Sequence, residues 1–394
     1  MKILHVTTNA GGGAGRAALR LHQSLLKKGI ESHILFLKDK VEGIQNAHCY
    51  ADHENKLFFK FKDSFHRLQS KIASGFDKYQ AFSLAKTPLD LLKVPIVREA
   101  DVIHLHWVTK FLDYKSFFKK IGKPVVWTLH DMLPFSPGYH YLFGFDLAKF
   151  EHKLNANLTI KKAALKDFDQ LSIVAPTQWL LNLSAKSELF MKYTHRVIRN
   201  LLDRAVFYHR PDTAALRAKF GFKSDDKIVL YVAEDINDRR KGIDLFVSIT
   251  DSLLEKNYKI LLIGSGEFEK KDPNIIQMGK ISDDQTLAAM YSISDVFVIT
   301  SREDNYPNTV LESLACATPV VGFDNSGIAE MIQHQQTGYL APAFNTEEIL
   351  AGIDYCIRHR KELSENTKAF IDANCDETII CSQFIELYQE LTNK

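Results

Sequence analysis

Apolar stretches that predict β-strands alternate with helical patterns along the first half of the chain. The first strand is predicted at residues 2–7. The glycine-rich loop 9–13 separates it from a helical spacing of apolar residues that runs to Leu25, with Gly29 as its stop. Further strands are predicted at residues 33–37, 101–107, 124–131 and 173–177.

The same alternation begins again after about residue 200 of the sequence. Strands are predicted at residues 228–233, 260–263, 296–300 and 320–322, and helices at Ile243–Glu255 and residues 284–292 and 309–317. Strands that alternate with helices of about 10–15 residues indicate a parallel sheet. We therefore predict an α/β protein of two similar halves, joined near residues 200–208, with a ligand site between them.

Composition and charge limit the classes of protein that fit this pattern. The 394 residues correspond to two or three domains at about 150 residues each, and 50 Lys and Arg stand against 48 Asp and Glu. The resulting charge of +2 gives no general case for nucleic-acid binding. Five scattered cysteines predict neither a disulfide framework nor a zinc site and favour a reducing cytoplasm. Because no apolar window approaches about 20 residues and the start lacks a signal-peptide core, we expect a cytoplasmic protein without a membrane span.

The glycine-rich turn after the first strand has two interpretations. In doubly wound sheets, a turn between a buried strand and a helix start presents backbone N–H groups to an anion. The spacing of Gly11, Gly13 and Gly15 differs from the dinucleotide-binding pattern. The turn is therefore also compatible with a tight connection that only needs flexible residues.

Residues 55–80 interleave basic and aromatic side chains, namely Lys56, Lys60, Lys62, Arg67, Lys71 and Lys78 with Phe58, Phe59, Phe61, Phe65 and Phe76. Such a stretch can lie on an anionic membrane surface. It is equally compatible with a solvated helical hairpin whose lysine stems cover the core.

Histidines follow two predicted strands of the first half at the points where the strands end. His104 and His106 lie near the end of the predicted strand at residues 101–107, and His130 lies near the end of the one at residues 124–131. Open α/β sheets bind their ligands at this edge. A lone histidine is more often a core residue, but three at two strand ends favour a site.

The clearest charge signal of the second half follows its first strand. Residues 237–242 bring Arg239, Arg240 and Lys241 together just before a predicted helix. Guanidinium, ammonium and helix dipole all favour the same negative charge, so this group suits a diphosphate. The alternative is a solvated turn. Residues 263–266 and 278–281 can bring backbone groups to a nucleotide, although each signal is weak by itself.

Two carboxylates, Asp304 and Glu312, flank a predicted junction between a loop and a helix that begins near Thr309. From the loop, one carboxylate can reach the hydroxyls of a sugar, and from the helix the other can reach a ribose. The helix N-terminus between them is suited to receive a diphosphate.

This stretch is similar to the signature of retaining glycosyltransferase family 4, in which two Glu separated by seven residues precede an Ala-Cys-Gly-Thr-Pro run. Residues 314–321 match that run closely, with Ala317 in place of the usual Gly. Other stretches follow the family's order over nearly the whole chain: residues 11–13, 127–131, 175–179, Asn200 with Asp203, residues 241–242, 264–266 and 291–297.

The resemblance implies a GT-B architecture, in which two Rossmann-like domains with parallel sheets face each other across a cleft. Residues 1–203 would form the acceptor-binding domain and residues 204–375 the nucleotide-sugar-binding domain. Residues 376–394 would form a C-terminal helix that packs back on the first domain.

The resemblance also implies roles for particular residues. Asp304 would take the place of the family's first Glu on the donor sugar, Glu312 would bind the ribose, and His130 would lie near the transferred sugar. Lys241 would neutralise the leaving diphosphate, so we count His130, Lys241 and Asp304 as catalytic. Other expected donor-site residues are Gly12, Gly13, Arg240, Gly264, Lys280, Asn308, Thr309 and Val310. On the acceptor side we expect His106, Trp107 and Asp131.

Three features depart from the family pattern. The first acidic position is Asp304, with Glu303 beside it. Ile236 occupies the place of the usual phosphate-binding arginine, which leaves Arg239 and Arg240 as alternatives. Residues 138–141 lack the cysteine cluster that often follows the His-Asp stretch, so no structural metal is expected.

The function expected from the resemblance is sugar transfer from a UDP-sugar or GDP-sugar to an acceptor hydroxyl, with retained anomeric configuration and without a cofactor or metal. The acceptor would be a sugar or lipid-linked sugar in surface polysaccharide assembly, handled at the inner face of the cell membrane. The alternatives are a nucleotide-sugar epimerase of the same architecture and a non-catalytic nucleotide-sugar-binding protein.

Overall fold

The computed structural model describes residues 1–74 and 82–393, which form two compact units. The first unit contains Met1–Leu201 together with Glu377–Lys394, and the second contains Leu202–Asp376. Each unit is built on one parallel sheet, so the predicted α/β class with two Rossmann-like domains is confirmed.

Seven parallel strands form the sheet of the first unit, in the order β3-β2-β1-β4-β5-β6-β7. They are β1 (Lys2–Thr7), β2 (Glu31–Phe36), β3 (Ala47–Cys49), β4 (Val102–Leu105), β5 (Val125–Thr128), β6 (Leu171–Ala175) and β7 (Thr194–Val197). The helices before residue 202 are α1 (Gly12–Lys27), α2 (Lys56–Ala73), α3 (Pro95–Glu99), α4 (Tyr114–Lys120), α5 (Leu147–Leu165) and α6 (Gln178–Ala185). Every residue of β4, β5 and β6 is buried, as expected for parallel strands covered on both faces.

Six parallel strands form the sheet of the second unit, in the order β10-β9-β8-β11-β12-β13. They are β8 (Ile228–Asp235), β9 (Lys259–Ser265), β10 (Ile275–Gly279), β11 (Val296–Ile299), β12 (Val320–Phe323) and β13 (Gly338–Ala341). The helices are α7 (Ala214–Lys219), α8 (Ile243–Glu255), α9 (Asp284–Ile293), α10 (Asn308–Ala315), α11 (Thr346–Arg358) and α12 (Arg360–Asn374). The carboxyl ends of β8 and β11 are neighbours in this sheet, which brings the loops after them together.

The last helix, α13 (Glu377–Thr392), packs on the sheet of the first unit. Its buried side chains Phe384 and Tyr388 share an apolar cluster with Ile3 and Val102. The Tyr388 hydroxyl lies 2.7 Å from Nδ1 of His104 on β4.

Helix α2 carries most of the basic and aromatic stretch predicted at residues 55–80. Phe59 and Ala73 are buried, whereas Phe61 and Phe65 are exposed on another side of the helix. Phe76 and Lys78 lie outside the described residues. Among the helices of residues 1–74 and 82–393, each is too short or too polar to span a lipid bilayer.

Candidate functional site

A positively charged turn follows β8 at the carboxyl edge of the second sheet. Asp238 caps a short 3-10 turn at Arg239–Lys241 by accepting a hydrogen bond from the Arg240 N–H at 2.9 Å. The turn ends at Gly242, whose φ of 69° is left-handed. A Cβ at Gly242 would lie 2.1 Å from the Thr300 carbonyl oxygen, so both the conformation and the close approach require glycine.

Asp304, in the loop after β11, receives both cations of this turn. Its Oδ2 lies 2.5 Å from Lys241 Nζ and 3.2 Å from Arg240 Nη1. Asp304 is buried, which alone would raise its pKa, but the charges of Lys241 and Arg240 outweigh burial and lower the pKa to about 2. Three groups predicted from the sequence therefore lie together, and the Asp238 carboxylate, 3.5 Å from Arg240 Nη2, adds a second negative charge beside the two cations.

Arg302 connects the loop after β11 to the charged turn after β8. Its backbone N–H donates to the Arg240 carbonyl at 2.8 Å, and its guanidinium donates to the Arg239 carbonyl at 2.9 Å. The same guanidinium forms an ion pair with Asp244 in the first turn of α8. Sequence reasoning gave Arg302 no role, because only the pairing of β8 with β11 brings it to this turn.

Arg240 and Arg239 differ in what they contact. The Arg240 guanidinium reaches into the loop after β11, where it donates to the Glu303 carbonyl at 2.9 Å and pairs with Asp304. Arg239 has an exposed side chain, and its carbonyl accepts from Arg302. Of the two arginines left open by the sequence, the structure brings Arg240 to the predicted site.

Helix α10 begins directly after this loop. Its cap residue is Pro307, which has no side-chain acceptor for the first N–H groups of the helix. The predicted residues Asn308 and Thr309 form its first positions, whereas the Val310 N–H donates to the Pro307 carbonyl at 3.1 Å. Glu312 is buried one turn further along.

Ala317, which replaces the usual family glycine, follows the end of α10 with a φ of 60°. This is the left-handed conformation that glycine adopts without a steric penalty. The substitution noticed in the sequence therefore falls at a position where glycine has a physical advantage.

The turn at residues 264–266 lies against the end of β8. A Cβ at Gly264 would lie 2.1 Å from the Ala233 carbonyl oxygen, and one at Gly266 would lie 2.6 Å from the Asn237 side chain. Gly264 and Gly266 thus pack against the segment that leads from β8 into the charged turn. Lys280 is exposed beyond β10 and pairs with Glu234 at 3.7 Å.

At the corresponding edge of the first sheet, the predicted residues Trp107 and Asp131 contact each other. Asp131 Oδ2 accepts from Trp107 Nε1 at 2.9 Å and lies 2.6 Å from His140 Nδ1, and Oδ1 accepts from the Leu133 N–H at 2.9 Å. Burial raises the pKa of this carboxyl, but His140 and the other hydrogen-bond donors lower it by a larger amount. The pKa of Asp131 is therefore below its ordinary value. His140 in turn lies 2.9 Å from the Ser83 hydroxyl. Asp131 is therefore a buried centre of a hydrogen-bond network.

Glycines 12 and 13 open helix α1 at the same edge of the sheet. Gly12 has a φ of 70°. The loop that precedes them is fixed to the loop after β4, since the Thr8 N–H donates to the Trp107 carbonyl at 2.8 Å.

The predicted pair His106 and His130 is part of a longer row of histidines. His106 Nδ1 lies 3.2 Å from His130 Nε2, and His106 Nε2 lies 3.0 Å from Nδ1 of His5 on β1. Burial lowers the pKa of His106 well below its ordinary value and that of His130 to about 4. His5 was missed in the sequence. Its position beside the other histidines follows from the parallel register of β1 and β4, which pairs His5 with His104 and which the sequence alone does not show.

Residues 226–359, most of the second unit, match the family model described as "Glycosyl transferases group 1". Over 184 residues the chain is 25% identical to N-acetyl-alpha-D-glucosaminyl L-malate synthase of Bacillus anthracis, which covers 42% of this chain and 47% of that protein. It is 26% identical over 357 residues to the putative colanic acid biosynthesis glycosyl transferase WcaC of Escherichia coli (strain K12), covering 82% of this chain and 83% of that one. The chain spans about half the length of several curated relatives that it matches.

Among solved structures, the fold is similar to that of Anabaena Alr3699/HepE in complex with UDP-glucose. The TM-score is 0.71 at 18% identity, over 99% of this chain and 100% of that chain. This similarity extends over both units, whereas the family model covers the second unit only.

Proposed function

We propose that this chain, whose residues 226–359 match the family model of the group 1 glycosyl transferases, transfers a sugar from a nucleoside diphosphate-sugar to an acceptor hydroxyl. The observation that carries this proposal is the contact of Arg240 and Lys241 with Asp304, in the loop that leads into α10. Breaking the anomeric C–O bond leaves growing negative charge on the diphosphate. Fixed cations and a helix N-terminus stabilise such charge without reorganisation.

In this proposal the second unit binds the donor. Lys241 and Arg240 neutralise the diphosphate, and the N–H groups at Asn308 and Thr309 face the phosphates. Glu312 accepts from the ribose hydroxyls, and Asp304 accepts from hydroxyls of the donor sugar while it keeps the two cations in place. The turn at Gly264 and the exposed Lys280 lie on the nucleotide side.

We propose that the first unit binds the acceptor through Trp107 and Asp131, with His106 acting through His130 because both ring nitrogens of His106 contact neighbouring histidines. Asp131 acts there by holding the Trp107 indole, since its oxygens already accept from three neighbours. The role proposed for His130 is to bind the transferred sugar.

We propose a uridine or guanosine diphosphate-sugar as donor. The Anabaena protein of similar fold is in complex with UDP-glucose, which supports UDP as the first choice. The proposal includes retention of anomeric configuration, because the family it resembles retains it. It also includes independence from a divalent metal, since Lys241 and Arg240 supply positive charge where a metal would otherwise be needed.

The most sensitive test is transfer from a panel of UDP-glucose, UDP-N-acetylglucosamine and GDP-mannose to simple alkyl glycosides in the presence of EDTA. We expect one donor to give product whose anomeric configuration, read by NMR, matches the donor. Lys241→Ala should abolish turnover, and Lys271→Ala, an exposed lysine of the same unit paired with Glu267, should not. Isomerisation of the donor without acceptor would contradict transfer and indicate an epimerase.

The biological setting we propose is assembly of a surface polysaccharide on a lipid-linked acceptor at the inner face of the cell membrane. The relative WcaC is named for colanic acid biosynthesis, which supports the polysaccharide part. The membrane part rests on helix α2.

Helix α2 presents an apolar stripe to solvent, formed by Leu57, Phe61, Phe65, Leu68 and Ile72. Leu57 is 79% exposed and Phe61 68% exposed. These positions recur at intervals of three and four residues, so they share one side of the helix. Lys60 and Lys71 are exposed beside them. An apolar stripe with adjoining lysines suits insertion between anionic lipid headgroups.

Flotation with vesicles tests this part of the proposal. Phe61→Ser with Phe65→Ser should remove binding to vesicles that contain phosphatidylglycerol, and Lys60→Glu with Lys71→Glu should weaken it. Lys62 is unsuitable for reversal, because it is mostly buried and pairs with Glu54 at 2.9 Å. Lack of binding by the unaltered protein would contradict the membrane role and leave the transfer assay unaffected.

A further inference from the structure

Three imidazoles form a continuous hydrogen-bonded row through the first unit, which we call the histidine row: His5, His106 and His130. His5 lies on β1, and the other two follow β4 and β5. The joining distances are 3.0 Å from His5 Nδ1 to His106 Nε2 and 3.2 Å from His106 Nδ1 to His130 Nε2. His5 and His106 are buried, and His130 at the other end is partly exposed.

The rings of the row are uncharged near neutral pH. Burial lowers the pKa of His5 and His106 well below the ordinary value and that of His130 to about 4. A neutral imidazole carries one N–H and one nitrogen lone pair. In each contact one ring must therefore donate and its neighbour must accept, so the tautomer of one ring determines that of the next.

The His5 end of the histidine row determines the direction in which its hydrogen bonds are donated. Among the described residues, Nε2 of His5 is buried without a hydrogen-bond partner. An N–H buried without an acceptor is rarer and more costly than an unused lone pair. The proton of His5 is therefore expected on Nδ1, where it is donated to His106 Nε2. His106 then carries its proton on Nδ1 and donates to His130 Nε2.

We propose that His5 is a positioning residue that sets the tautomer of His130 through His106, so that His130 carries its proton on Nδ1. The ring nitrogen of His130 that lies outside the row, Nδ1, then carries an N–H rather than a lone pair. This inference rests on the proposed function in one respect only, namely that His130 binds the transferred sugar. A neutral N–H donor there can bind a sugar oxygen but cannot accept a proton, so His130 orients the sugar and is not a general base.

A metal ion is the competing explanation for this cluster. Nitrogens of His5, His104 and His106 lie within 4.8 Å of one another, close enough to suggest ligands. However, both nitrogens of His104 already contact hydroxyls, with Tyr388 at 2.7 Å and Thr128 at 2.8 Å. Because His106 is also engaged at both nitrogens, a metal would have to displace several hydrogen bonds.

The test is ¹⁵N NMR of histidine-labelled protein, which distinguishes protonated from unprotonated ring nitrogens. Signals are assigned with His130→Gln and His106→Gln. We expect His130 and His106 to be protonated on Nδ1 and unprotonated on Nε2 at pH 7.5. A proton on Nε2 of His130, or stoichiometric zinc in the purified protein, would overturn the proposal.

Two variants of His5 separate positioning from folding. His5→Leu removes the donor, so the His130 tautomer should become mixed, and turnover should fall by about tenfold or more with the donor KM nearly unchanged. His5→Asn restores an N–H donor at the same distance from the backbone and should recover both readouts. An unchanged His130 tautomer in His5→Leu would contradict the proposal. If His5→Leu does not fold, the unaltered protein and His5→Asn still decide it by NMR.

The NMR result does not depend on activity. If the expected tautomers are found but no nucleotide-sugar is turned over, the histidine row stands and the proposed function fails. If turnover is found with the opposite tautomer, the function stands and the role of His5 is refuted.

Discussion

Replacing Asp304 by asparagine tests the electrostatics of the charged turn. The carboxylate is 7% exposed and pairs with Lys241 and Arg240. Its two cations lower its pKa from 3.8 to about 2. At about 1.4 kcal/mol for each tenfold change in the acid constant, ionised Asp304 contributes about 2–3 kcal/mol to the stability of the second unit at pH 7. Because the pKa is lower in the folded state, this contribution is present above pH 4 and is lost as the pH falls towards 2.

We expect Asp304→Asn to lower the free energy of unfolding of the second unit by about 2–3 kcal/mol at pH 7. All three tryptophans, Trp107, Trp127 and Trp179, lie in the first unit, so their fluorescence does not report this change. Hydrogen exchange of peptides from β11 and β12, followed by mass spectrometry, measures the second unit alone. The matched control is Asp251→Asn, in which an exposed carboxylate loses its pairing with Lys270 and exchange should hardly change.

The same substitution should strengthen the binding of a diphosphate, although it lowers the stability of the unit. Asp304 competes with a bound diphosphate for Lys241 and Arg240, so removing its charge should strengthen UDP binding by about threefold to tenfold. Calorimetry measures this. Unchanged exchange in β11 and β12, or weaker UDP binding, would refute the view that Asp304 holds and partly neutralises these cations.

Three further predictions concern the fold around the two sheets. Ala317→Gly should stabilise the second unit by about 0.5–1 kcal/mol, measured by the same exchange experiment, because it relieves a left-handed alanine with a φ of 60°. Gly242→Ala should destabilise that unit by about 2 kcal/mol or more and weaken UDP binding, since its Cβ would collide with the Thr300 carbonyl; normal exchange and binding would show that the loops relax freely. Burial lowers the pKa of His22 to about 4 and that of His104 to about 3, so the unfolded chain binds more protons below pH 6.5 and the first unit should lose stability as the pH falls from 6.5 to 4. Denaturant titrations followed by tryptophan fluorescence at pH 7.5 and pH 5 measure this, and equal midpoints would contradict it.

The central strands of both sheets could be predicted because burial on both faces makes them continuous apolar runs. Helix α8 was predicted with its observed bounds, Ile243–Glu255. The edge strand β7 (Thr194–Val197) was missed, because its sequence Thr-His-Arg-Val has no apolar run and most of it is exposed. Pairing with β6, rather than any local preference, makes it a strand.

Candidate site residues could be predicted where a chemical type stands at a strand end, as with Lys241, Asp304 and His130. The residues that contact these candidates could not be predicted from the sequence. Arg302 lies in the same loop as Asp304, but its contact with the charged turn depends on the neighbouring positions of β8 and β11. His5 is a single histidine in an apolar strand, and its role depends on the register between β1 and β4. Such pairings across a sheet are not encoded in local spacing.

Calorimetric titration with UDP, GDP and ADP in the presence of EDTA tests the diphosphate site most directly. We expect micromolar binding of one nucleotide without a metal. Lys241→Ala should weaken that binding by about tenfold or more, since a charge-assisted contact to phosphate is lost. Lys271→Ala should bind normally. Binding by none of the three nucleotides, or binding that is unaffected by Lys241→Ala, would contradict the diphosphate site formed by Lys241, Arg240 and α10.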